Sequence, residues 1–116
     1  MHEASLVAAL CQEVKSLGQK EGALKATRIT VSIGELAGVE VEAFSLAFKA
    51  YQESDPFFAQ TKLEIETIPA QRKCFSCGKE FSTPPPCPYC GSLTTLPLSG
   101  EELELTRVEF LLPETN

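Results

Sequence analysis

Two matched motifs, Cys74-Phe75-Ser76-Cys77-Gly78 and Cys87-Pro88-Tyr89-Cys90-Gly91, constrain this chain more than any other feature. Two residues between cysteines let both thiolates of a pair reach one ion from a tight turn. The glycine that follows tolerates the positive φ such a turn often needs, and backbone N–H groups in the turn can point at the sulfurs and stabilise their charge. Two knuckles complete a tetrahedral shell of four sulfurs with no open position for catalysis, which predicts structural zinc on Cys74, Cys77, Cys87 and Cys90. A single iron in a rubredoxin-like site uses the same donors. A thioredoxin-like redox pair would show one C-x-x-C beside a βαβ pattern, not two matched knuckles. A disulfide framework belongs to an oxidising compartment, and the N-terminus has neither the basic start nor the apolar stretch of a secretory signal. The chain therefore reads as cytoplasmic.

Residues 71–98 differ in composition from their surroundings and form a zinc-ribbon-like insert. They hold few large apolar side chains, so metal supplies most of their folding energy, on the order of 10 kcal/mol in small zinc peptides. Arg72, Lys73 and Lys79 offset the charge of a zinc–thiolate centre, and Pro84-Pro85-Pro86 stiffens the link between knuckles.

The remainder, 1–70 and 99–116, reads as one α/β unit. Leu6, Leu10, Val14 and Leu17 recur at helical spacing and predict a helix over 4–17, stopped by Gly18 and Gly22. Ile29, Val31 and Ile33 alternate with Arg28, Thr30 and Ser32 in a half-buried strand. Val41, Phe44, Phe48 and Tyr51 form a second helical stripe that ends at Ser54-Asp55-Pro56. Leu63 and Ile65 mark a second strand. Leu103 and Leu105 open a third, whose later residues Val108 and Phe110 come into phase through a bulge near Thr106 or Arg107. A crossover through the second helix makes the first two strands parallel, and the third returns antiparallel to the second. The fold class is thus a two-layer α/β unit with a three-stranded mixed sheet and two helices. Its expected core is Leu6, Leu10, Val14, Ile29, Val31, Ile33, Phe44 and Phe48, with Cys11 as a small core residue. Glu64, Glu66, Glu102 and Glu104 form a solvated acidic face.

Sixteen acidic against ten basic residues give a net charge of −6, which repels a phosphate backbone and argues against nucleic acid as a partner. No apolar run approaches the roughly 20 residues of a membrane span.

His2, the only histidine, follows the first methionine. Composition alone makes it a solvated residue at a chain end. Chemistry adds a sharper reading: the α-amine of Met1, the amide of His2 and its imidazole can chelate one ion through fused rings, and the amide of Glu3 can supply a fourth nitrogen. Planar nitrogen donors suit Ni(II) or Cu(II) better than zinc.

Met1-His2-Glu3, Ile33-Gly34-Glu35-Leu36, the Val41 to Phe48 helix and the Cys74 to Cys90 module, in this order along the chain, together resemble the HypA/HybF family of nickel metallochaperones. The resemblance implies transferable Ni(II) on Met1 and His2 with Glu3 in the same motif, and structural Zn(II) on the four cysteines. It also implies work beside a HypB-type GTPase and delivery to the [NiFe]-hydrogenase large subunit, with urease as a further client of some members; a homodimer remains open. Family members often carry aspartate near position 40 where this chain has Glu40, an accessory carboxylate on a longer arm. The spacer between knuckles is also short for the family.

The resulting expectation is carriage of metal rather than catalysis. No Ser-His-Asp set, Gly-rich phosphate loop or open metal site is visible, and the single histidine leaves few general bases. Two other readings use the same cysteines: a zinc-ribbon adaptor that recruits a protein partner without a second metal, and a rubredoxin-like electron carrier.

Overall fold

The structure, a computed structural model, describes residues 2–114. Helix α1 spans Glu3–Lys20, strand β1 Lys25–Gly34 and helix α2 Val41–Ser54; a 3-10 turn, Pro56–Phe58, precedes β2 at Lys62–Ile68. Three short strands follow in the cysteine region: β3 (Gln71–Cys74), β4 (Glu80–Phe81) and β5 (Thr95–Ser99). Strand β6, Leu103–Leu111, closes the chain.

α1 runs through Gly18 instead of stopping there. It ends in a Schellman turn: the Ala23 N–H donates to Gly18 O at 2.8 Å and the Gly22 N–H to Gln19 O at 3.2 Å, with Gly22 at φ +70°. The buried stripe is Glu3, Val7, Cys11, Val14 and Gly18. Leu6 and Leu10 are only half-buried and Leu17 is exposed, so the inward face is turned by one position from the expected leucine stripe.

α2 follows expectation. Phe44 and Phe48 are buried, and the helix stops at Asp55, where the following Pro56 disfavours helical backbone. Asp55 then caps the 3-10 turn by accepting the Phe57 N–H at 2.9 Å. This turn seats Phe58, fully buried, edge-on to Tyr51 and Phe57.

The first sheet has the order β2-β1-β6. Thr61 Oγ1 donates to Ala26 O and the Glu35 N–H to Ile68 O, so β1 and β2 run parallel. Leu24 pairs with Leu111 and Gly34 with Glu102 through N–H to O bonds, so β6 is antiparallel to β1. The sheet is mixed, as expected, but β6 lies beside β1, not beside β2. Along β6, Leu105 and Val108 are half-buried with Thr106 and Arg107 exposed between them. Central placement also explains Thr30 and Ser32, which are buried like Ile29, Val31 and Ile33 where a half-solvated strand was expected. On the acidic residues the picture is mixed: Glu64 and Glu109 both pair with Arg28, while Glu102 accepts the Gly100 N–H.

The chain divides into two compact units. One comprises the segments up to Val31, Val39–Ile65 and from Leu105 onward; the other comprises Ser32–Gly38 and Glu66–Glu104. The second contains an antiparallel sheet of order β4-β3-β5, in which Lys73 sits between Glu80 and Leu96. Among the described residues no helix is long and apolar enough to cross a membrane.

Candidate metal centres

The two knuckles repeat one hydrogen-bond pattern. Cys74 donates its N–H to Lys79 O and Cys87 donates to Ser92 O, both at 2.9 Å. Gly78 and Gly91 donate back to Cys74 O and Cys87 O, also at 2.9 Å. Both glycines have positive φ, +75° and +80°, a backbone that a β-carbon would disfavour. The turns bring all four Sγ atoms within 4.8 Å of one another. Cys74 and Cys90 sulfurs are 3.5 Å apart, and those of Cys77 and Cys87 3.7 Å. A tetrahedral ion with metal–sulfur bonds of about 2.3 Å sets its sulfurs roughly 3.8 Å apart, so these donors fit zinc.

Proton affinities within the cluster are pulled apart. The Cys77 N–H, working against burial, holds the Cys74 thiol at about 6. Burial opposes ionisation at Cys87, yet the N–H groups of Tyr89 and Cys90 bring it below the ordinary thiol range. At Cys90 the Ser92 N–H favours the thiolate, but the Cys74 sulfur, burial and the other two sulfurs push it up to about 12. A divalent cation at the centre would favour the thiolate form of all four sulfurs and displace their protons. Lys79 lies over the Tyr89 ring, 4.8 Å from its centroid, which keeps one positive charge beside the second knuckle. Pro84, Pro85 and Pro86 form a bend with the Pro85–Pro86 bond cis, not a uniformly extended link. Cys11 is apart from the four. It is fully buried in α1, and burial, then the charge of Asp55, raises its thiol to about 12, as suits a neutral core residue.

At the other candidate site Met1 lies outside the described residues. His2 is exposed and caps α1 with its carbonyl, which accepts the Leu6 N–H at 3.0 Å; its imidazole makes no capping hydrogen bond. Glu3 is buried, and its Oε2 accepts the Glu40 N–H at 3.2 Å. Glu40, itself exposed, is the N-cap of α2. The start of α1 is thereby tied to the start of α2. This tether was not legible beforehand, because no short-range pattern joins residues 37 apart.

The profile of a family described as "Hydrogenase/urease nickel incorporation, metallochaperone, hypA" matches residues 1–110. The chain belongs to this family. It is 35% identical to the hydrogenase maturation factor HypA of Picosynechococcus sp. over 115 residues, covering 96% of this chain and 100% of that one. Against the factor of the same name from Aquifex aeolicus the identity is 35% over 114 residues, with 95% and 97% covered. Among solved structures, the Ni metallochaperone HypA from Helicobacter pylori aligns with a TM-score of 0.68 at 26% identity, covering 97% of this chain and 100% of that one. A second HypA solution structure gives 0.72, also at 26% identity, over 97% and 98%. As a HypA-family member the chain is a metallochaperone of hydrogenase maturation. Its four-cysteine cluster is compatible with structural zinc.

Proposed function

We propose that this chain binds Ni(II) through the Met1 amine, backbone amides and the His2 imidazole, and transfers it during [NiFe]-hydrogenase maturation. The family match along nearly the whole chain carries the reading. The local geometry supports it: an exposed His2 stands one residue before a carboxylate anchored to the α2 N-cap. In this arrangement Glu3 holds the chelate in place through its side chain, and its amide is available as the fourth nitrogen. The anchor also keeps Glu40 beside the motif, where its carboxylate can assist capture or release. An exposed terminus suits handover better than a buried cage does. Zinc on Cys74, Cys77, Cys87 and Cys90 is the structural ion. A HypB-type GTPase and the hydrogenase large subunit are the proposed partners, in the cytoplasm, with urease a further client.

Calorimetric nickel titration of the zinc-loaded chain with a free N-terminus tests the proposal. His2→Ala should abolish specific nickel binding while leaving zinc content and fold unchanged. A short N-terminal extension should do the same, because it converts the amine into an amide with no donor lone pair. Binding should weaken as pH falls, since protons compete for the same nitrogens. If the extended protein binds nickel as tightly as the native one, the terminal chelate is wrong. The adaptor reading predicts no nickel binding that depends on His2 or on the free amine, with zinc as the sole metal.

A further inference from the structure

Each knuckle divides its cysteines in the same way. The first cysteine is buried, Cys74 at 0% exposure and Cys87 at 2%, whereas the second, Cys77 or Cys90, faces solvent. The Tyr89 N–H also reaches the buried Cys87 Sγ at 3.4 Å. Hydrogen bonds of this kind withdraw electron density from a thiolate and blunt it as a nucleophile, while exposure gives reagents access. The sulfur contacts at 3.5 and 3.7 Å both cross between knuckles, each joining one exposed cysteine to one buried cysteine.

We propose that Cys77 and Cys90 are the reactive face of the cluster, where hydroperoxides and electrophiles attack, and that oxidation there bridges Cys77 to Cys87 and Cys90 to Cys74 with release of zinc. The inference rests on the zinc assignment made above. In the first step the exposed thiolate attacks one oxygen of hydrogen peroxide. The O–O bond breaks, the sulfur becomes a sulfenic acid, and the other oxygen leaves as hydroxide once the transferred protons are counted. In the second step the facing thiolate attacks the sulfenic sulfur, the S–O bond breaks, and hydroxide leaves. Two sulfurs have together lost two electrons to the peroxide. A disulfide sulfur carries no charge to hold a cation, so the ion departs as aqueous Zn(II). Reduction by a dithiol reverses the bridge and restores the donors.

The full-length chain, shown by elemental analysis to hold one zinc, is exposed to limiting iodoacetamide and, separately, to hydrogen peroxide. Alkylation should mark Cys77 and Cys90 before Cys74 and Cys87, with Cys11 unmodified until the chain is unfolded. Peroxide should release zinc, read with a chromogenic chelator, in step with disulfide formation, and dithiothreitol plus zinc should restore the starting state. Trypsin cutting after Lys79 separates the knuckles unless a disulfide joins them, so non-reducing digestion should yield one linked species whose fragmentation gives 74–90 and 77–87. Alkylation of the buried pair first, or equally fast, overturns the proposal, and so do disulfides confined within each knuckle. A protein that purifies properly folded without zinc overturns the zinc assignment itself, a separate failure detected before any reagent is added.

Discussion

Gly18 lies on the buried face of α1 with no side chain, and the space it leaves is filled by two rings. A β-carbon there would stand 2.7 Å from Phe57 Cζ and 2.9 Å from Phe110 Cε1, closer than carbon atoms approach without displacement. Alanine normally favours a helix over glycine by about 0.5–1 kcal/mol, whereas overpacking a filled core costs about 1–3 kcal/mol. The steric effect wins, so Gly18→Ala should lower stability by about 1 kcal/mol or more in urea denaturation. A more stable variant would mean that the rings move aside freely. The same position shows why the helix face was misread by one step. Leucines at 6, 10 and 17 offered the heavier apolar stripe, while the true stripe contains a glycine and a cysteine. Its value depends on Phe57 and Phe110, which periodicity within the helix cannot see. Phe44 and Phe48 were legible because large aromatic residues on a helix leave little ambiguity about which face is buried.

Between elements, Asp55 makes two different connections. One oxygen caps the 3-10 turn at Phe57, and the other accepts Lys15 of α1 at 2.8 Å. The Lys15 ammonium, then the Phe57 N–H, hold the Asp55 carboxyl below the usual range. A group whose folded-state value is depressed contributes stability above its unfolded value, about pH 4, and loses it as pH falls through the folded value. Asp55→Asn should therefore be less stable than the parent at neutral pH, and the difference should shrink below about pH 4 as the parent's carboxyl is protonated. Urea midpoints measured across this range check it; a gap constant with pH would mean that neither Lys15 nor the Phe57 N–H depresses the carboxyl. The Lys15 side chain is partly solvent-exposed, so added salt should narrow the gap. Element types and their order were readable because apolar period and Gly or Pro punctuation are local. The sheet order was not: whether the last strand joins β1 or β2 depends on contacts formed after the long cysteine segment. The three strands within that segment were also missed, being only two to five residues long, and β5, which alternates Leu96 and Leu98, carries Pro97 between them.

At the scale of the whole molecule the two units draw on different sources of stability. The first holds a core of large side chains, including Phe44, Phe48, Phe58, Ile29 and Val14. The buried cluster of the second is Cys74, Phe81 and Cys87, two of which are proposed zinc ligands. The metal is thus expected to act there as the centre of the core, a role open to reading from the sequence because two matched C-x-x-C-G knuckles complete a tetrahedral shell of four sulfurs. Removing it should affect the units unequally. Cys87→Ala takes away a donor, a charge and a buried side chain together, and zinc content should fall to near zero. Amide hydrogen exchange should then accelerate at Gly78 and Gly91, whose N–H groups close the knuckles onto Cys74 O and Cys87 O. The Phe44 amide, bonded to Glu40 O in the first unit, should retain its protection. Stripping zinc from the parent with a chelator should reproduce the pattern without any change in sequence, which separates loss of the ion from damage done by the substitution. If Gly78 and Gly91 stay protected in the stripped parent, packing within the second unit suffices to hold the knuckles and the ion is not its core. If Phe44 loses protection as well, the first unit depends on the second for its stability, and the two units do not draw on separate sources of it.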